Sequence, residues 1–308
     1  MGHGTYTADA WSNYAAASGV KTKPVHQIYS DHLNAALDPK QIKNGFREAR
    51  DNTDHPVTTP LIAALDVTGS MSSVLDTMAK QGMNTLVQEV YDRQPLPDPA
   101  IMCMAIGDAE RGDLAPLQVT QFEADIRIQE QLAQLYLEGG GGGNAYESYL
   151  LPLYFAATKT KTDAWEKRSK KGYLFTIGDE GPCPYLRAED VKRVLGDTIE
   201  RDLTAAEVLT MASRQWEIFH VVVMDSNGYR SYGRDFYKEW TDLLGENAIP
   251  LRDHTKLAEV IVSTIQVREG ASVDAVADSW SGATGLIVRE AMKSMATAGK
   301  SNTGIITL

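Results

Sequence analysis

Leu61-Ile-Ala-Ala-Leu-Asp-Val-Thr-Gly-Ser-Met-Ser72 is the stretch on which the reading of this chain turns. Residues 61–65 are uniformly apolar and too few for a helix, which predicts a strand buried on both faces. Asp66 falls at its C-terminal tip, and Thr68, Gly69 and Ser70 form the turn. Ser72 is placed to N-cap a helix over the periodic residues 74–91. Strand, small-residue loop and helix in that order set polar side chains at the carboxyl edge of a parallel sheet, where open α/β folds receive their ligands. The same acid and hydroxyls also suit plain capping of the following helix, so the loop's chemistry depends on what the rest of the chain brings to it.

Working outward, residues 100–106 read as a second buried strand and 117–122 as a third, antiparallel at an edge. The apolar positions 126, 128, 132, 135 and 137 predict an amphipathic helix over 125–137. Glu138 is followed by five consecutive glycines and then Asn144-Ala-Tyr-Glu147. Such a run is entropically costly and implies unusual φ angles or a close backbone approach. It is not a phosphate-binding loop, because no Gly-Lys-[Ser/Thr] closes it. A helix over 145–158, a basic loop, and a strand over 173–177 ending in Gly178-Asp179-Glu180 come next. Helices over 187–195 and 205–216, a strand over 217–224, a helix over 236–244, a short strand over 249–251 and a helix over 257–267 complete the α/β alternation.

Asp66-Val67-Thr68-Gly69-Ser70 resembles the D-x-[ST]-x-S signature of von Willebrand factor A domains, where it builds the metal-ion-dependent adhesion site. The resemblance extends over roughly residues 60–265, about two thirds of the chain. It implies a doubly wound, mostly parallel, Rossmann-like sheet flanked by helices. In that family a Gly-Gly-Thr supplies a third metal ligand, and the matching residue here is Asn144, whose carbonyl oxygen replaces the hydroxyl. The family's last acid, in Thr-Asp-Gly, matches Asp179, with Glu180 in reserve. The implied ligand set is therefore Asp66, Thr68, Ser70, Asn144 and Asp179, for Mg²⁺ or else Mn²⁺ or Ca²⁺. Its logic is chemical: Mg²⁺ takes hard oxygens, keeps several waters, and accepts neutral hydroxyls where nearby carboxylates balance the charge. Glu147 reads either as an acid at a helix N-terminus or as a group behind the ligands. The lead-in Phe46-Arg-Glu-Ala-Arg-Asp51, followed by His55-Pro56, is similar to that of bacterial and phage A-domain proteins.

The chain divides into an N-terminal arm (1–58), the A-like domain (59–268) and a C-terminal tail rich in Ala, Ser, Gly and Thr (269–308), with one helix over 285–296. Helices are also expected at 8–17 and, weakly, at 39–50. With 43% hydrophobic and 23% charged residues the composition is that of a globular protein. A net charge of -11 argues against nucleic acid as the main partner. The only basic run, Lys159, Lys161, Lys167, Arg168, Lys170 and Lys171, reads as a solvated helix end and loop. No signal peptide or membrane span is read. Cys103 and Cys183 lack the spacing of a disulfide scaffold or zinc site, which points to a reducing, cytoplasmic setting. His55, His220 and His254 have no nucleophile or metal partner beside them in sequence.

The expected function is cation-dependent protein binding, the metal bridging to a partner that presents an acidic side chain. Related intracellular A-domain proteins work in multiprotein complexes, often beside an AAA+ ATPase. One alternative is a Mg²⁺-dependent phosphatase of the haloacid-dehalogenase type, in which Asp66 would be the nucleophile. That reading lacks its general acid, since the position two residues on is Thr68. The other is an assembly component whose metal only orders loops.

Overall fold

The apolar run at 61–65 forms the middle of strand β1 (Thr59–Asp66), every residue of which is buried. The computed structural model describes residues 4–140, 142–232 and 234–295. Strands β2 (Pro99–Ile106), β3 (Leu117–Val119), β4 (Gly172–Gly178), β5 (Trp216–Val223) and β6 (Ala248–Leu251) join β1 in one sheet, in the order β6-β5-β4-β1-β2-β3. All neighbours run parallel except β3, which is antiparallel to β2 at the edge. The expected α/β architecture is therefore present.

Alternation along β1 explains why an unbroken apolar run is needed. Leu61, Ala63 and Leu65 face one apolar layer, built with helix residues such as Leu86, Val90 and Ile261. Ile62 and Ala64 face the other, with Leu150, Phe155 and Val208. The first layer comprises α2 (Ser72–Thr77 continued, through a wider π-helical turn at Met78–Gly82, into Met83–Arg93) and α6 (Leu257–Arg268). The second comprises α3 (Leu150–Thr158), α4 (Ala205–Ala212) and α5 (Phe236–Leu244). Ser72 does not cap α2; it lies inside the first turn and its hydroxyl donates to the Gly69 carbonyl.

Several expected elements differ. Residues 39–50 are not a helix. They form short turns and the strand Arg47–Ala49, which pairs in parallel with Thr160–Thr162 in the expected basic loop. The basic side chains there are largely paired with acids, Lys167 with Asp163, Arg168 with Asp51, Lys170 with Glu269 and Lys171 with Glu217. The helix expected from 145 starts only at Leu150. The described part of the tail is packed: α7 (Val273–Asp278) and α8 (Ala283–Ala291) bury Val276, Ala277, Val288 and Ala291 against the first layer. Trp280 between them donates to the Ser263 hydroxyl and lies under the Arg93 guanidinium, 3.4 Å from its ring centre. The last residue of the helix expected at 285–296 lies outside the described residues.

The N-terminal arm begins with α1 (Ala8–Ser18), whose Trp11 and Ala15 are buried with Tyr6, Tyr29 and Leu37 in the first layer. Further on, the arm occupies the outer side of β3. The Val119 N–H donates to the Leu37 carbonyl (2.9 Å), and the buried Arg47 guanidinium donates to the Val119 carbonyl (2.9 Å). Gln118 exchanges two hydrogen bonds with the Tyr136 backbone. Among the described residues no helix is long and apolar enough to cross a membrane.

Candidate metal centre

From β1 the chain moves to β2 and β3 on one side, then returns to build β4, β5 and β6 on the other, so the order reverses between β1 and β4. Crevices at such reversals, beyond the carboxyl ends of the strands, are where open sheets bind ligands. Leu65 is level with Ile177, which sets Asp66 and Asp179 at adjacent tips. Asp66 is fully buried. Its Oδ1 accepts from the Thr68 N–H (2.9 Å) and the Thr68 hydroxyl (2.6 Å), and its Oδ2 accepts from the Tyr149 hydroxyl (2.7 Å). The Ser70 hydroxyl donates to Asp179 Oδ1 (3.0 Å). Four of the five expected residues are thus brought together, in two linked pairs.

Asn144 is not joined to them. Its amide oxygen and nitrogen are both buried without a hydrogen-bond partner among the described residues. The glycine run does adopt the expected conformations, with φ of +68° at Gly139, +92° at Gly142 and +89° at Gly143. Beyond the glycines the chain is irregular, and Tyr146 bridges to Gly181. Along this segment Glu147 is buried, and both its carboxylate oxygens lack a hydrogen-bond partner among the described residues. Of its two expected readings, the acid in the first turn of a helix does not hold, because the helix begins at Leu150. Asp179 Oδ2 and Glu180 Oε2 are likewise buried and have no hydrogen-bond partner among the described residues.

Burial is the main force on all four carboxyls. It raises Asp66 well above the ordinary carboxylate range, and the Asp179 charge raises it further, against the pull of the Thr68 and Tyr149 hydrogen bonds. Glu147 is raised by burial, then by Asp66 and Glu180. Asp179 is raised by burial against the Ser226 and Ser70 hydroxyls, and Glu180 is pushed to about 8 by burial, Asp66 and Asp179. An open cleft of about 320 Å³ lies over them, lined by Thr68, Ser70, Glu147, Glu180, Gly228 and Tyr232. Among the described residues no three His, Cys, Asp or Glu side chains form a metal-holding group. A cation here would need the Thr68 and Ser70 hydroxyl oxygens as well.

The surrounding packing fixes these positions. A Cβ on Gly228 would lie 2.3 Å from Asp179 Oδ2, and one on Gly178 would lie 2.0 Å from the Tyr149 hydroxyl. Gly178→Ala is therefore expected to drive Tyr149 off Asp66 and to cost about 1–3 kcal/mol, measured by urea unfolding; unaltered stability would show that Tyr149 is not wedged as described. His220 is stacked on Trp240 at 3.6 Å between ring centres, with Nδ1 2.8 Å from the Thr176 hydroxyl. His55 reaches the Gly4 carbonyl and His254 reaches Asp225. Tyr149, His220 and Trp240 were invisible to sequence patterning, because their meeting depends on three separated elements.

No family model and no curated protein matches the chain. Similar solved structures include the pilus adhesin SpaC of Lactobacillus rhamnosus GG (7% identity, TM-score 0.46, covering 71% of this chain and 32% of that one). Proximal thread matrix protein 1 of the mussel byssus overlaps at 9% identity and TM-score 0.43, covering 68% of this chain and 47% of that one. BatB, a conserved hypothetical protein of Bacteroides thetaiotaomicron, overlaps at 13% identity and TM-score 0.42, covering 68% of this chain and 98% of that one. The chain spans about a third of the adhesin's length. Overlaps this loose carry no argument about function, and the fold rests on the strand order given above.

Proposed function

We propose that the carboxyl edge of this sheet is a metal-ion-dependent protein-binding site of the von Willebrand factor A type. The observation that carries the reading is the set of buried carboxylate oxygens on Asp179, Glu147 and Glu180, unpartnered among the described residues, beside Asp66, Thr68 and Ser70 under an open cleft. Uncompensated buried carboxylates are costly, and a hard divalent cation relieves that cost directly. In this reading Thr68 and Ser70 offer neutral oxygens to Mg²⁺, Mn²⁺ or Ca²⁺. Asp66 and Asp179 hold those hydroxyls in place and balance the charge. The cleft leaves the cation's outer side for a carboxylate from a protein partner, within a larger assembly such as one containing an AAA+ ATPase. A phosphatase reading is less supported, because the position two residues after Asp66 carries a hydroxyl that donates to Asp66 itself.

The test is affinity capture from a native lysate with Mg²⁺ and with EDTA. Capture is expected in Mg²⁺, and is expected to be lost with EDTA and in Asp66→Ala and Ser70→Ala proteins that remain folded. Capture that survives all three changes would sink the reading. If EDTA lowers thermal stability but leaves capture intact, the cation is structural.

A further inference from the structure

We infer that Glu147, rather than Asn144, is the third loop's ligand to the cation, and that it makes the site select Ca²⁺ over Mg²⁺. The inference rests on the cation-site reading above and adds to it the identity of the ligand and of the ion.

Three observations converge on Glu147. It is 1% exposed, yet neither carboxylate oxygen has a hydrogen-bond partner among the described residues, a state that buried carboxylates rarely hold. It lines the same cleft as Thr68 and Ser70. Two residues further on, Tyr149 donates to Asp66 Oδ2, so the segment that carries Glu147 is the part of the third loop tied directly to Asp66. Asn144 also has buried side-chain atoms without a partner among the described residues, but it does not line the cleft and has no hydrogen-bonded tie to Asp66 among the described residues.

The ion preference follows from donor chemistry. Mg²⁺ keeps a compact octahedron, sheds water reluctantly and is served by one or two carboxylates. Ca²⁺ takes six to eight oxygens at longer distances and accepts a carboxylate through both oxygens at once. A glutamate with both oxygens free, added to the Thr68 and Ser70 hydroxyls that Asp66 and Asp179 hold in place, supplies the extra donors and the charge that favour the larger ion.

The test uses the full chain and the metals alone. Calorimetric titration with CaCl₂ and with MgCl₂ is compared for the parent protein, Glu147→Gln, Asn144→Ala and Asp66→Asn. The parent is expected to bind one Ca²⁺ at least tenfold more tightly than Mg²⁺. Glu147→Gln should lose thirtyfold or more in Ca²⁺ affinity and much less in Mg²⁺ affinity, so that the preference collapses. Asn144→Ala should stay within threefold of the parent. Unfolding of Glu147→Gln in EDTA, expected to be no easier than for the parent, separates loss of a ligand from loss of the fold. If Glu147→Gln keeps the parent's Ca²⁺ affinity or its Ca²⁺ to Mg²⁺ ratio, or if Asn144→Ala loses binding as Glu147→Gln was expected to, the assignment is overturned while the cation site stands. If the parent binds neither ion, the underlying reading fails too.

Discussion

Asp66→Asn is expected to abolish stabilisation by added cation and, in EDTA near pH 8, to leave the protein about 2–4 kcal/mol more stable than its parent. The reason is that Asp66 is fully buried beside other acids, with only hydrogen bonds to Thr68 and Tyr149 to offset its charge. A carboxyl whose pKa is higher folded than unfolded keeps its proton longer in the native state. Native protein then binds more protons than unfolded protein, and stability falls as pH rises out of the ordinary carboxylate range. The fall is complete only once pH has passed the raised values, which reach about 8 at Glu180 and about 11 at Glu147. In EDTA the parent should therefore lose stability from about pH 4 to about pH 11, and Asp66→Asn should lose less of it. Urea unfolding followed by tryptophan fluorescence measures both slopes. A parent stability that rises across this range would mean that the buried acids are already compensated.

The second large effect is expected at Trp240. Its indole is 1% exposed, stacks on His220, meets Tyr149 edge-on with ring centres 5.6 Å apart, and donates from Nε1 to the Glu180 carbonyl at 2.9 Å. Trp240→Ala should cost about 3–5 kcal/mol, through lost burial and the cavity left behind. It should also weaken cation binding, because the loop bearing Asp179 and Glu180 loses its anchor. Trp240→Phe keeps most of the volume and should cost only about 1–2 kcal/mol, the share of the hydrogen bond. Equal losses in the two variants would assign the effect to the Glu180 contact instead of to packing.

The legible parts of this molecule were those set by local pattern. An apolar run ending in an acid and small hydroxyls marked β1 and the Asp66 loop, and a similar run ending in Gly178-Asp179 marked the neighbouring tip. The third loop was less legible, because the sequence after the glycines has helical periodicity from 145 although the helix begins only at Leu150. The backbone there instead bridges from Tyr146 to Gly181 and carries Glu147 inward. Residues 39–50 failed for a related reason. Arg47–Ala49 is a strand because Thr160–Thr162 lies beside it, and a partner so distant in sequence leaves no trace in local propensity. The small residues of the tail permit close helix packing: a Cβ on Gly285 would lie 2.6 Å from the Ala277 carbonyl.

The way Leu37 and Arg47 engage the outer rim of β3 bears on self-association. An unguarded rim offers its amide row as a template for another molecule, the route by which sheets extend into fibrils. Here the Val119 amide and carbonyl are already satisfied by the chain's own first fifty residues. A variant that loosens that wrapping, such as Arg47→Ala, uncovers a templating surface, and concentrated samples of it should polymerise well before the site at the tips of β1 and β4 is disturbed.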